Sequence, residues 1–305
     1  MRRALFWMVL CCLSIPGLTR AQLAGPVQIV PVVARLNGGA GSYWQSDVSI
    51  TNLGSLDATV TAAFLQEEQP NDPDHVPTYD VAVPAGETLQ FGDVLGKWFP
   101  QVGSTKGALV LLGNAADGSD ATVPLAVSSR TYNAADPAKT YGQGVPAISP
   151  VGEGGQTWEA VFGRGKAVLP GIQQNDRFRT NIGVLNLSQM AIQVRVTVLD
   201  ADGRTLTEKS EPVEALSLSQ WSLSKGLGVA SLPAGGRVDV DLDPAAITWD
   251  PCTTDSAFLS TTAGVFVAYS TTMDGATNDS EFHLGSTDWS VQADLCGHPP
   301  YTCLK

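Results

Sequence analysis

Hydrophobic and polar residues alternate along most of this chain in short runs broken by Gly, Pro, Asn and Asp. Val60, Ala62 and Phe64 form one such run, and Ile192, Val194, Val196 and Val198 another. A period of two places every second side chain on one face, which is the pattern of a half-buried β-strand. One ten-residue stretch is written twice, as Trp44 to Leu53 and as Phe178 to Leu187, 134 positions apart. Both copies open on an aromatic, alternate through Val48 and Ile50 or Ile182 and Val184, and close on Asn-Leu and a small residue, Gly54 or Ser188. A repeat of that size is a duplicated domain rather than a solenoid unit.

In the first copy the pattern predicts a strand over 28–35, with Pro31 marking an edge or bulge, and a mobile glycine-rich loop over 37–41. After the duplicated strand come a hairpin turn at 54–57, a return strand, and an exposed loop over 69–77 rich in proline and acid. Strands over 79–83 and 88–91 flank a turn at Pro84-Ala85-Gly86, and Asp93 caps a short helix over 94–99. Strands over 108–112 and 123–132 complete the unit. The second copy repeats this order. The strand over 216–221 corresponds to 88–91, the passage 223–229 to the short helix, and 265–272 to 125–132. It departs by an insertion over 243–256 and a tail after Gly285. The expected architecture is all-β: two tandem antiparallel β-sandwich domains with short helical turns, at 22–149 and 164–286, joined by a glycine-rich linker at 150–163 and followed by a tail at 287–305.

Residues 44–133 carry a sequence of features in fixed order. They are a strand ending in Asn52-Leu53-Gly54, an alternating strand, the turn Val83-Pro84-Ala85-Gly86, a short helical passage, and a late strand ending in Ser129-Arg130-Thr131. In this order the unit resembles the small sandwich of the sensory rhodopsin transducer family, and the doubled form resembles exported bacterial proteins built from such sandwiches in tandem. The resemblance implies a small β-sandwich for each half.

Arg2 and Arg3, an apolar core over 4–13, and Thr19-Arg20-Ala21 follow the pattern of a cleaved export signal over 1–21, with the cut near Ala21. Beyond it no run approaches the roughly 18 apolar residues of a membrane span. The expected location is therefore secreted, periplasmic or at the cell surface. Cleavage leaves 15 basic residues against 30 acidic ones, a net charge of −15. That balance argues against nucleic acid and anionic membrane surfaces as partners. Three cysteines remain, Cys252, Cys296 and Cys303. In an oxidising compartment one disulfide is expected, with local Cys296–Cys303 closure favoured and Cys252 as the alternative partner.

Candidate chemistry is sparse. His75, His283 and His298 have no ligand spacing, and no nucleophile elbow is present. Ser222 to Lys225 matches S-x-x-K but lacks companion motifs and reads as a helix start. Asp239, Asp241 and Asp243 alternate along one strand, so their carboxylates share a face. They are calcium candidates, or an acid–base pair, set against an ordinary solvated face. Trp44, Phe178 and Trp221 fall on the repeated frame and are expected in the core. Trp158, Trp249 and Trp289 fall outside it and are candidates for a contact surface. No catalytic residue, resident metal or cofactor is assigned. The expected function is that of an exported non-catalytic binding or scaffolding protein of the cell envelope or extracellular space, with a protein or glycan partner. The alternatives are a carbohydrate-binding module and a carboxylate-dependent hydrolase.

Overall fold

A computed structural model of the chain describes residues 24–138, 140–149, 161–162, 166–243 and 264–288. The expected export signal, most of the linker, most of the insertion and nearly all of the tail lie outside these residues. So do Trp158, Trp249, Trp289, Cys252, Cys296 and Cys303.

The first half carries β1 (Val27–Asn37), β2 (Tyr43–Asn52), β3 (Ala58–Gln66), β4 (Thr78–Val83), β5 (Thr88–Phe91), helix α1 (Val94–Trp98), β6 (Thr105–Ala115), β7 (Leu125–Asn133) and β8 (Gly142–Pro146). They form one eight-stranded sheet in the order β4-β3-β6-β1-β2-β7-β8, with β5 on β2, and every pairing is antiparallel. The sheet folds at β1, whose first part pairs with β6 and whose end, Arg35 to Asn37, pairs with β2. Pro31 lies in the register shift between Val30 and Val33. Lacking an N–H, it cannot donate to a ladder, so a bulge is where it is tolerated.

The second half repeats the plan with β9 (Val161–Phe162), β10 (Lys166–Gln174), β11 (Phe178–Asn186), β12 (Ile192–Leu199), β13 (Thr205–Val213), β14 (Leu218–Ser222), β15 (Leu232–Leu242), β16 (Val265–Asp274), β17 (Ser280–Leu284) and β18 (Ser286–Asp288). Its sheets run β13-β12-β15-β10-β18 and β14-β11-β16-β17, with β9 on β16. Strands β10 to β17 thus occupy the places of β1 to β8. The register agrees as well. Trp44 faces Asn133 and Val48 faces Ser129, while Phe178 faces Asp274 and Ile182 faces Ser270.

The shared Asn-Leu signature has a physical cause. Asn52 and Asn186 are both fully buried. Asn52 Nδ2 donates to the carbonyls of Leu56 (2.8 Å) and Val83 (3.0 Å), and its Oδ1 accepts from the Gly54 N–H (2.8 Å). Asn186 Nδ2 donates to Met190 O (2.7 Å) and Glu214 O (2.9 Å), and its Oδ1 accepts from the Ser188 N–H (2.9 Å). Each amide satisfies backbone groups that the hairpin leaves outside its ladder.

Four sequence expectations need correction here. The strand over 265–272 corresponds to 124–131 rather than 125–132, since Ile182 faces Ser270 where Val48 faces Ser129. Trp44, Phe178 and Trp221 are half-buried rather than core, because Trp44 and Phe178 sit at the open end of the sandwich, beyond the inward-facing Val48 and Ile182. The passage 223–229 is not a helix. In α1, Asp93 accepts from the Gly96 N–H, whereas Leu223 stands at that position and Ser222 Oγ instead accepts from Lys225 and Gly226 in a glycine-broken turn. The loop over 69–77 is not wholly exposed, since Asn71 is buried and binds the second half.

The two halves form one packed body. Inside the second sandwich, Ile182, Val184, Phe266 and Ala268 join Val194, Val196, Val238 and Val240 in one core. The opposite face of β11 and β16, with Leu185, Leu187, Val265, Val267 and Tyr269, is continuous with the core of the first half. Polar contacts fix this seam: Glu68 N donates to Leu218 O, Asn71 N to Ala215 O, Asn71 Nδ2 to Leu216 O and Ser217 Oγ to Gln66 O.

Candidate functional site

Beyond the apolar seam the two halves diverge and leave an open cleft of about 500 Å³, within the size range of small-molecule sites. The first half contributes β1, the loop after it, and the starts of β2, β6 and β8. The second contributes the start of β11, the end of β14 and the turn after it, the end of β16 and the start of β17.

The first wall is built around Trp44. Gly38 N donates to Ser42 O (2.8 Å), Ser42 Oγ donates to Gly39 O (2.8 Å), and Trp44 Nε1 donates to Ser42 Oγ (3.1 Å). The glycine-rich stretch expected as a mobile loop is thus a pinned turn. A Cβ on Gly38 would lie 2.5 Å from Trp44 Nε1, so the indole needs glycine there. Tyr141 meets the indole edge to face at 6.0 Å, and its hydroxyl accepts from Asn133 Nδ2 (2.7 Å).

Arg179, Asn181, Gln220 and Thr271 face the cleft from the second half, along with Ser222, Ser224 and Lys225 on the turn. Arg179 Nη2 lies 3.0 Å from Met273 Sδ, and its Nη1 reaches within 4.0 Å of where a Gly39 Cβ would be. The guanidinium therefore spans the cleft. Asn181 Nδ2 touches Thr271 Oγ1 at 3.4 Å. On the other wall Lys106 is held by Glu67 at 3.1 Å, and burial pushes the Glu67 carboxyl above its ordinary value despite that cation. Two lining residues carry solvent-inaccessible oxygens with no hydrogen-bond partner, Gln143 Oε1 and Ser280 Oγ.

The sequence-predicted carboxylates lie elsewhere. Asp239 and Asp241 do share a face of β15, but cations flank them. Asp239 pairs with Lys166 (3.3 Å) and Arg237 (2.9 Å), and Arg195 forks onto Asp241 with contacts of 3.1 and 2.5 Å. Asp243 ends the same strand region. Neighbouring strands β10 and β12 supply Lys166 and Arg195, so the row is an ion-paired sheet face outside the cleft. Among the described residues no group of three or more His, Cys, Asp and Glu is placed to hold a metal ion. His75 pairs with Asp72 and His283 with Glu281, both in exposed positions. In the S-x-x-K stretch, the Ser222 hydroxyl caps its turn.

Sequence reasoning missed the cleft residues Arg179, Tyr141 and Gln220 as a group. One signal was present: at matched positions the first copy has Gln45 and Asp47 where the second has Arg179 and Asn181. A comparison with protein-family models and with curated proteins finds no match to this chain.

Proposed function

We propose that the chain is an exported, non-catalytic binding protein whose ligand sits in the cleft between its two sandwiches. The observation that carries this reading is the lining itself. Amides, hydroxyls and a tryptophan–tyrosine pair converge there from both halves, and no carboxylate, histidine or cysteine lines it among the described residues. Such a surface can hydrogen-bond and stack, but it offers no acid–base pair for hydrolysis. A rigid seam presenting loops and strand ends on either side suits recognition.

Native mass spectrometry of the full chain, exposed to a small-molecule and glycan extract of its own cell envelope, tests this. A retained ligand that is lost on Asn181→Ala with Gln220→Ala supports the cleft. Retention that survives both substitutions, or no retention at all, overturns the reading.

A further inference from the structure

The cleft is sorted by charge in a way the chain as a whole is not. Acidic residues outnumber basic ones 30 to 18. Yet the described lining holds Lys106, Arg179 and Lys225 and no carboxylate. Lys106 is neutralised by Glu67. Arg179 and Lys225 are exposed, and among the described residues neither has an ion-pair partner. In the first copy, the cross-strand pairs at the matching positions are Gln45–Tyr132 and Asp47–Arg130. In the second they are Arg179–Met273 and Asn181–Thr271. The wall has lost its carboxylate, and its arginine now stands in the cleft with no acid beside it.

We propose that the cleft binds a short oligosaccharide bearing carboxylates, with a sugar ring against Trp44 and a carboxylate on Arg179; this rests on the cleft being the ligand seat. A guanidinium presents a planar fork that matches a carboxylate in two-point contact. With its Nε1 proton already donated to Ser42, the Trp44 indole has carbon surface left to offer, which suits the apolar face of a pyranose. Asn181, Gln220, Ser224 and Thr271 supply donors and acceptors in number for a ligand rich in hydroxyls. A simple carboxylate would leave most of these groups unused. The overall negative charge repels a polyanion at long range, so the two cations are what make a short acidic ligand acceptable.

Isothermal titration of the full chain with a short oligogalacturonate, a neutral galactose oligomer of equal length and an oligoglutamate peptide tests the assignment. The oligogalacturonate is expected to bind at least tenfold tighter than either of the others. Arg179→Gln should abolish that preference and Lys225→Gln should reduce it, with melting temperatures unchanged because both side chains are exposed. Equal binding of the neutral oligomer overturns the acidic assignment but keeps a sugar in the cleft. Tighter binding of oligoglutamate overturns the sugar. Binding of none overturns the inference alone, since the extract experiment judges the cleft independently.

Discussion

The same strand pair has two environments in this molecule. In the first copy the outward face of β2 and β7 meets solvent: Leu53 is 54% exposed, and Ser128 is exposed. In the second copy the equivalent face of β11 and β16 is covered: Leu187 is 1% exposed and Tyr269 fully buried. Thr51, Ala126 and Ser128 of the first copy correspond to Leu185, Val267 and Tyr269 of the second. Inward positions barely differ, since Val48 and Ile50 match Ile182 and Val184. The comparison separates two demands on one strand. What the sandwich needs is kept on the inner face, and what the partner sandwich needs is written on the outer one.

The largest expected effect comes from breaking the covered face. Leu185→Asp places an unpaired charge in the seam and should destabilise by several kcal/mol. Thr51→Asp, at the matching half-exposed position, should cost less than about 1 kcal/mol. Urea unfolding of both variants checks the contrast, and the Leu185 variant should unfold in two transitions as its halves part. Similar losses in the two variants would show that the seam does not form in solution.

Close contact at the seam gives the next effect. Tyr269 lies over Gly183, its cross-strand neighbour, so closely that a Cβ there would be 2.1 Å from Tyr269 Cζ. Gly183→Ala should therefore destabilise by roughly 1–3 kcal/mol through overpacking. Ser49→Ala, at the same place in the first copy, should change stability by about 0.5 kcal/mol or less. Combining Gly183→Ala with Tyr269→Ala should cost less than the sum of the two singles, because removing the ring also removes the clash that the added methyl makes.

Where the copies agree, the expected effects agree. Asn52→Ala and Asn186→Ala each leave buried backbone carbonyls unpartnered, at a cost of about 1–3 kcal/mol. Thermal melts of the two variants should fall by comparable amounts. A marked inequality would mean that one hairpin is held by contacts the other lacks.

Much of the fold was legible because period-two alternation and turn residues report local geometry directly. The Asn-Leu signature was visible as a repeat, though its role needed the hydrogen bonds of Asn52 and Asn186. The seam had a readable trace as well. Val265 to Tyr269 is a continuous apolar run, whereas the register-matched stretch Pro124 to Ser128 ends on an exposed serine where the second copy has Tyr269, and a strand covered on both faces loses its polar positions. The cleft was harder to read, since Trp44, Tyr141, Arg179 and Gln220 come from separate elements whose approach depends on how the sandwiches dock. The alternating aspartates misdirect for a related reason. Asp239 and Asp241 share a face as expected, but Lys166 and Arg195 arrive from neighbouring strands that periodicity alone does not align.

The smallest effect concerns pH and sharpens the comparison at its edge. Glu67 sits on the first half where the seam meets the cleft, facing Lys106 and Glu68 and lying near the buried Tyr269 hydroxyl. Burial is the largest influence on it and raises its carboxyl above the ordinary value of 4.5, with Lys106 opposing. The folded protein thus holds this proton more tightly than the unfolded chain does. Its contribution to stability is fully present below the ordinary value and is lost as pH rises through the raised one. Asp274 acts in the opposite sense but in a lower window. The Arg177 guanidinium depresses its carboxyl, so that contribution is lost only as pH falls below the usual carboxylate range. Stability measured upward from pH 4.5 should therefore carry a small downward component from Glu67. Replacing it by Gln removes the titration and should flatten that component, while Glu68→Gln, which leaves the Glu67 carboxyl in place, should keep most of it. An unchanged slope in the Glu67→Gln variant would mean that this carboxyl is solvated and that the seam is open beside it.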